Sequence, residues 1–154
     1  MNCIGIRVLP KVVYFTVIEY QDNNVSILTV DKLVAPASLE MPDKLSYIRT
    51  TMFSVINEYN VSNAWMRRME DNSQNINIDR AYIEGVIQEL ISNCTIEKYF
   101  SGKKSQIASY LNMTSKDVED NFSGNSNKFS IDDWEQYKKE ERESILCALT
   151  ATQI

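Results

Sequence analysis

Cys3-Ile4-Gly5-Ile6-Arg7 alternates two kinds of side chain. Ile4, Ile6 and Val8 fall on one face, and Cys3, Gly5 and Arg7 on the other. Period-two spacing with β-branched enrichment predicts a strand over residues 2–9. Pro10-Lys11 then marks a turn, and residues 12–19, rich in Val, Tyr, Phe, Thr and Ile, predict a second strand. Gln21-Asp22-Asn23-Asn24 is a turn cluster, and residues 25–34 predict a third strand. Three strands with short links make an antiparallel meander.

After the meander the period changes. Leu45, Ile48, Met52, Val55, Ile56 and Tyr59 are spaced by threes and fours, the apolar face of a helix opened by Pro42-Asp43 and closed by Asn60. Residues 61–69 predict a buried strand, and the polar residues 70–77 a loop. Ile83, Val86, Ile87, Leu90 and Ile91 mark a second helix with Asp79 near its start. A fifth strand is expected over 95–100, a helix from Ser101 through Leu111, a loop over 123–127, and a last helix from about Asp132 to Thr152. Strand–helix–strand links predict parallel neighbours with right-handed crossovers. The expected architecture is therefore α/β: a mixed five-stranded sheet, three antiparallel strands followed by parallel units, with helices on both faces.

The 154 residues suit a single domain, 1–154, with a helical insertion around 101–130. A chain of this length buries roughly two thirds of its unfolded surface and folds without staples. Cys3, Cys94 and Cys147 are odd in number and widely spaced, and the chain has no histidine. Zinc sites and Ser-His or Cys-His nucleophiles are excluded on that basis, and the thiols are expected to be buried and free. No phosphate-binding Gly-rich loop is present. No apolar run is long enough for a membrane span and no leader pattern opens the chain, so a cytoplasmic protein is expected. The net charge of −5 lowers the expectation of free-standing nucleic-acid binding, which draws most of its affinity from phosphate neutralisation.

The element order resembles the ribonuclease H-like fold, and in particular its RuvC branch of Holliday junction resolvases. Cys3-Ile4-Gly5-Ile6 resembles the first strand of that branch. Leu45 to Tyr59 followed by Val61 to Met66 resembles its helix and fourth strand. Ile96-Glu97-Lys98-Tyr99-Phe100 with Gly102-Lys103-Lys104-Ser105-Gln106 resembles the fifth strand and its basic turn. Glu140 to Ala148 resembles the last helix. The resemblance implies a nuclease in which carboxylates at the ends of the first and fourth strands and on the last helix hold two magnesium ions roughly 4 Å apart.

Here the first strand-end position is Arg7 and the second is Arg67, within Trp65-Met66-Arg67-Arg68. Acids persist only on the last helix, among Glu140, Glu141 and Glu143. Two guanidiniums repel divalent cations, and an arginine–carboxylate fork to Glu140 or Glu143 is expected instead. The expected protein has no metal and no catalytic residue. It is a catalytically inactive pseudo-nuclease, a protein-binding or scaffolding subunit, by fold analogy in a nucleic-acid-processing or defence assembly. The family resemblance also implies a homodimer. Two alternatives stand beside this reading. One is a divergent magnesium-dependent endonuclease that uses Glu70 with the last-helix glutamates. The other is a non-cleaving nucleic-acid-binding module.

Arg7, Arg67, Arg68, Lys103 and Lys104 form a candidate binding crevice at the strand carboxyl ends, the usual ligand edge of an open sheet. The stretch from Gln106 to Val118 resembles a helix-turn-helix. Asp117, Glu119 and Asp120 suit a packed helical pair better than a DNA-reading one. The run from Lys138 to Glu143 is expected to be a largely solvated face with an i,i+4 pair, Lys139–Glu143, and one acid turned inward. Trp65 and Trp134 are expected to be core or interface anchors.

Overall fold

The computed structural model describes residues 1–70 and 74–154. The expected polar loop over 70–77 falls in part on 71–73, which lie outside the described residues. The sheet contains β1 (Asn2–Val8), β2 (Val13–Gln21), β3 (Asn24–Leu33), β4 (Val61–Arg67) and β5 (Lys98–Gly102). Their order is β3-β2-β1-β4-β5. The β1–β2 and β2–β3 pairs are antiparallel, and β4 runs parallel to both β1 and β5. The mixed α/β architecture read from the sequence is the one observed.

Local chemistry explains the element ends. The β2–β3 hairpin turns on Asp22 and Asn23, both at positive φ (51° and 63°). A two-residue loop of that kind matches the twist of the strands it joins. Helix α1 (Met41–Glu58) has Pro42 in its first turn, where the missing N–H is not needed. It ends at Asn60, which takes the left-handed conformation (φ 48°). Helix α2 (Ile78–Ser92) is capped by the Asn77 side chain, which accepts the Arg80 N–H at 3.0 Å.

The alternation of β1 sorts the molecule into two cores. Ile4, Ile6 and Val8 pack with Ala64 and Met66 against Ile48, Met52 and Ile56 of α1 and Ile83, Ile87 and Leu90 of α2. Cys3 and Trp65 face the other way. There they meet α3 (Lys104–Tyr110), α4 (Ser115–Ser123) and α5 (Lys139–Ala151), through Ile107, Val118, Phe122, Leu146, Cys147 and Ala148. Helices thus cover both faces, and α3 and α4 form a packed pair. No described helix is long and apolar enough to cross a membrane.

Helix α5 lies unusually close to β1 because Gly5 has no side chain. A Cβ there would overlap the Ser144 carbonyl and the Ala148 nitrogen. Small residues complete the seam: Ser144 shares a buried 2.7 Å hydrogen bond with Thr16, and Cys147, Ala148 and Ala151 are fully buried. Asn63 fastens the other end of the helix by donating to the Ala151 carbonyl at 3.0 Å.

Several boundaries differ from expectation, most by one or two residues, and the larger differences lie after the meander. The fourth strand stops at Arg67 rather than Met69. The fifth strand begins at Lys98, not Thr95, because pairing starts at Asn63↔Lys98, while Ile96 is buried in the first core. It runs on to Gly102, so α3 starts at Lys104 rather than Ser101. The last helix does not run from Asp132. A 3-10 turn, Trp134–Gln136, is flanked by Asp133 at φ 55° and by an extended Tyr137, and α5 begins only at Lys139.

Gly5→Ala is expected to cost about 3 kcal/mol or more, because the clash is with helix backbone. Gly85→Ala is the control. It lies on the exposed side of α2 with nothing within 4 Å of a built Cβ, and it should gain about 0.5–1 kcal/mol. Urea denaturation of the two variants checks the contrast.

Candidate functional site

Arg7 and Arg67 are register partners on the adjacent parallel strands β1 and β4, so their side chains emerge together on the α5 face. The close seat of α5 over Gly5 brings Glu143 between them. Both guanidiniums contact the same oxygen: Arg7 through Nε and Arg67 through an Nη, each on Glu143 Oε2. The three side chains are deeply buried, at 11%, 13% and 3% exposure. The fork expected from the sequence, two parallel hydrogen bonds to two oxygens, is not the arrangement found. Arg7 Nε and Glu143 Oε2 lack well-aligned hydrogen bonds and are held by charge contact, and the buried Arg67 Nε is also without a hydrogen bond. Arg7 also donates to the Val8 carbonyl at 3.3 Å, and the Arg67 guanidinium lies 5.0 Å from the centre of the Phe122 ring.

Two cations share one anion here. Burial pushes the Arg7 guanidinium below its ordinary range and Glu143 draws it back up, while Arg67 and Arg80 push it down again. That donor set does not fit a divalent cation, which needs several oxygen ligands. Among the described residues no group of three or more His, Cys, Asp or Glu gathers to hold a metal. Glu70 accepts the Lys104 backbone N–H at 3.2 Å and lies 4.0 Å from the Arg67 Nη that does not contact Glu143. Glu140 stays outside the cluster, half-buried, and its charge raises the pKa of Tyr14 after burial has done so.

An open crevice of about 270 Å³ lies beside the cluster, lined by Arg7, Arg67, Arg68, Glu70, Asn77 and Arg80 among others. Arg7, Arg67 and Arg68 were expected there. Lys103 and Lys104 do not line it, because α3 turns Lys104 toward Glu119 at 3.1 Å. Arg80 was missed by the sequence reading. Its signal was a basic residue in the first turn of a helix, the end where the dipole disfavours one. It is held by Glu84 at 2.9 Å.

The charge run on α5 also reads differently in three dimensions. Lys139 pairs with Glu119 at 2.9 Å, not with Glu143. Arg142 is buried and donates to the carbonyls of Trp134 (3.0 Å), Phe122 (3.2 Å) and Glu135 (3.3 Å), stitching α4 and the 3-10 turn onto α5. Trp65 and Trp134 are both core residues. The thiols of Cys3 and Cys147 are buried, and burial pushes them up to about 11 and about 12 respectively.

This fold is RuvC-like. Over 97% of the chain and 92% of the partner it superposes on Thermus thermophilus RuvC with a TM-score of 0.72, at 9% identity. The yeast mitochondrial Holliday junction resolvase Ydc2 matches with a TM-score of 0.60 and 15% identity, covering 98% of this chain and 78% of that one. The Fowlpox virus resolvase, solved with substrate Holliday junction DNA, matches with a TM-score of 0.56 and 14% identity, covering 97% and 95%. No protein-family model and no curated protein sequence matches.

Glu143→Gln leaves two buried guanidiniums without their counter-ion and should cost about 3–5 kcal/mol. Replacing Arg7, Arg67 and Glu143 together with Met, Met and Leu should cost much less, because no unpaired charge remains. Chemical denaturation gives that order. In the folded protein at pH 8, a thiol reagent should label the half-buried Cys94 well before Cys3 and Cys147, with all three labelled after unfolding. Mass spectrometry of the labelled peptides checks this.

Proposed function

We propose that this chain is a RuvC-like protein without nuclease activity, acting as a protein-binding or scaffolding subunit. The observation that carries the reading is the pairing of Arg7 and Arg67 on Glu143, at the strand ends where the resemblance calls for metal-binding carboxylates. A guanidinium supplies no oxygen for a divalent cation and opposes its approach by charge. An ion pair that bridges β1, β4 and α5 does the fastening that a metal bridge would otherwise do.

Binding to protein is favoured over free-standing nucleic-acid binding by two features. The net charge is −5. Among the described residues, β3 pairs only with β2, and its ten-residue outer edge exposes Val25 and Leu28. An open edge of that length is a template for another strand, from a partner or from a second copy. A nucleic-acid-processing or defence assembly is the setting in which such a subunit would serve.

Two experiments test the reading. The wild-type protein should neither cleave a Holliday junction in magnesium or manganese nor bind either ion in calorimetry, and metal-dependent cleavage overturns the proposal. Arg7→Asp combined with Arg67→Glu would set two acids beside Glu143. This variant should be destabilised without metal and regain at least several degrees of Tm in manganese. If it folds and takes up no manganese, the equivalence of these strand ends to the resolvase site is wrong.

A further inference from the structure

We infer that the arginine crevice at the carboxyl ends of β1 and β4 binds the phosphate group of a small phosphate monoester. The inference rests on the reading above, in which these strand ends hold no metal. The side chains around the crevice are already arranged as anion donors. Glu143 carries one charge against the two of Arg7 and Arg67, so the buried cluster keeps a positive surplus. Arg67 spends one Nη on Glu143. Its other Nη lies 4.0 Å from Glu70, beyond hydrogen-bond reach. Arg68 is exposed at the rim.

The positive end of a second element points to the same place. Asn77, the N-cap of the fifteen-residue α2, lines the crevice, and so does Arg80 from its first turn. A helix N-terminus beside guanidiniums is a ready anion site, and planar guanidinium forks match phosphate geometry. Glu84 neutralises Arg80 from outside the crevice lining, which leaves Glu70 as its lining carboxylate among the described residues.

The size and charge of the molecule select the ligand class. A polyanion would have to cross a surface that is acidic on balance, with a net charge of −5. A single terminal phosphate needs only the crevice. A dianionic monoester gains more from the surplus charge than a singly charged diester, and about 270 Å³ accommodates a phosphate with part of its substituent.

The test is calorimetric titration of the full chain, free of phosphate and sulfate, with inorganic phosphate, a nucleoside 5′-monophosphate and a short single-stranded oligodeoxynucleotide lacking terminal phosphates. Saturable binding of phosphate or of the monophosphate is expected. The ratio of their affinities tells a free-phosphate site from a nucleotide site. Arg68→Ala, a surface change that leaves the buried cluster intact, should weaken binding at least fivefold. Glu70→Gln should tighten it severalfold. No saturable binding by either monoester probe overturns the inference, as does binding indifferent to both substitutions. An oligonucleotide that binds more tightly than the monophosphate overturns the choice of ligand class. These failures are distinct from failure of the non-nuclease reading, which shows as metal uptake and cleavage by the wild-type chain.

Discussion

One carboxylate oxygen, Oε2 of Glu143, holds two guanidiniums from adjacent strands. Taking three charged groups out of water costs several kcal/mol for each, and the return depends on all three being in place. The contact therefore needs its surroundings to be rigid. Gly5 lets α5 approach the sheet, the Thr16–Ser144 hydrogen bond sets its height, and Asn63 ties its far end. The path of α5 then determines where Arg142 meets the carbonyls of the 3-10 turn. The second core is organised around a charge contact rather than beside one.

That organisation separates what the sequence shows from what it hides. Period-two spacing exposed β1 because both of its faces are buried in different company, and i,i+4 spacing exposed α1 because its outer side is solvated. Arg7 and Arg67 were legible as substitutions against a family pattern. Their convergence on Glu143, and not on Glu140, depends on which side of α5 faces the sheet. A helix buried from Arg142 to Ala151 has no polar face to reveal that phase. The same enclosure hid Arg142: in sequence it sits inside a charged run, and only the packing of α4 and the 3-10 turn makes it internal. The start of β5 was missed because Ile96 is buried without being in the strand, so apolar character ran past the paired residues.

Charge on this molecule is placed unevenly. The net balance is acidic, yet the carboxyl ends of β1 and β4 collect Arg7, Arg67, Arg68 and, from α2, Arg80. Farther along the same side, Lys104 and Lys139 are both taken up by Glu119. The two basic groups that adjoin in sequence, Arg67-Arg68 and Lys103-Lys104, thus have different fates. One borders an open crevice, and Lys104 of the other pairs α3 with Glu119 of α4, which also takes Lys139 of α5.

The shared oxygen also constrains how the chain can change over generations. With Arg7 alone replaced by an acid, two carboxylates crowd a single guanidinium. With Glu143 alone replaced, two guanidiniums face each other. Each of these two steps leaves like charges facing one another in the interior. Return to an acidic cluster must pass through less stable intermediates or take several changes together. The trio thus makes charge reversal at these strand ends depend on coordinated substitutions.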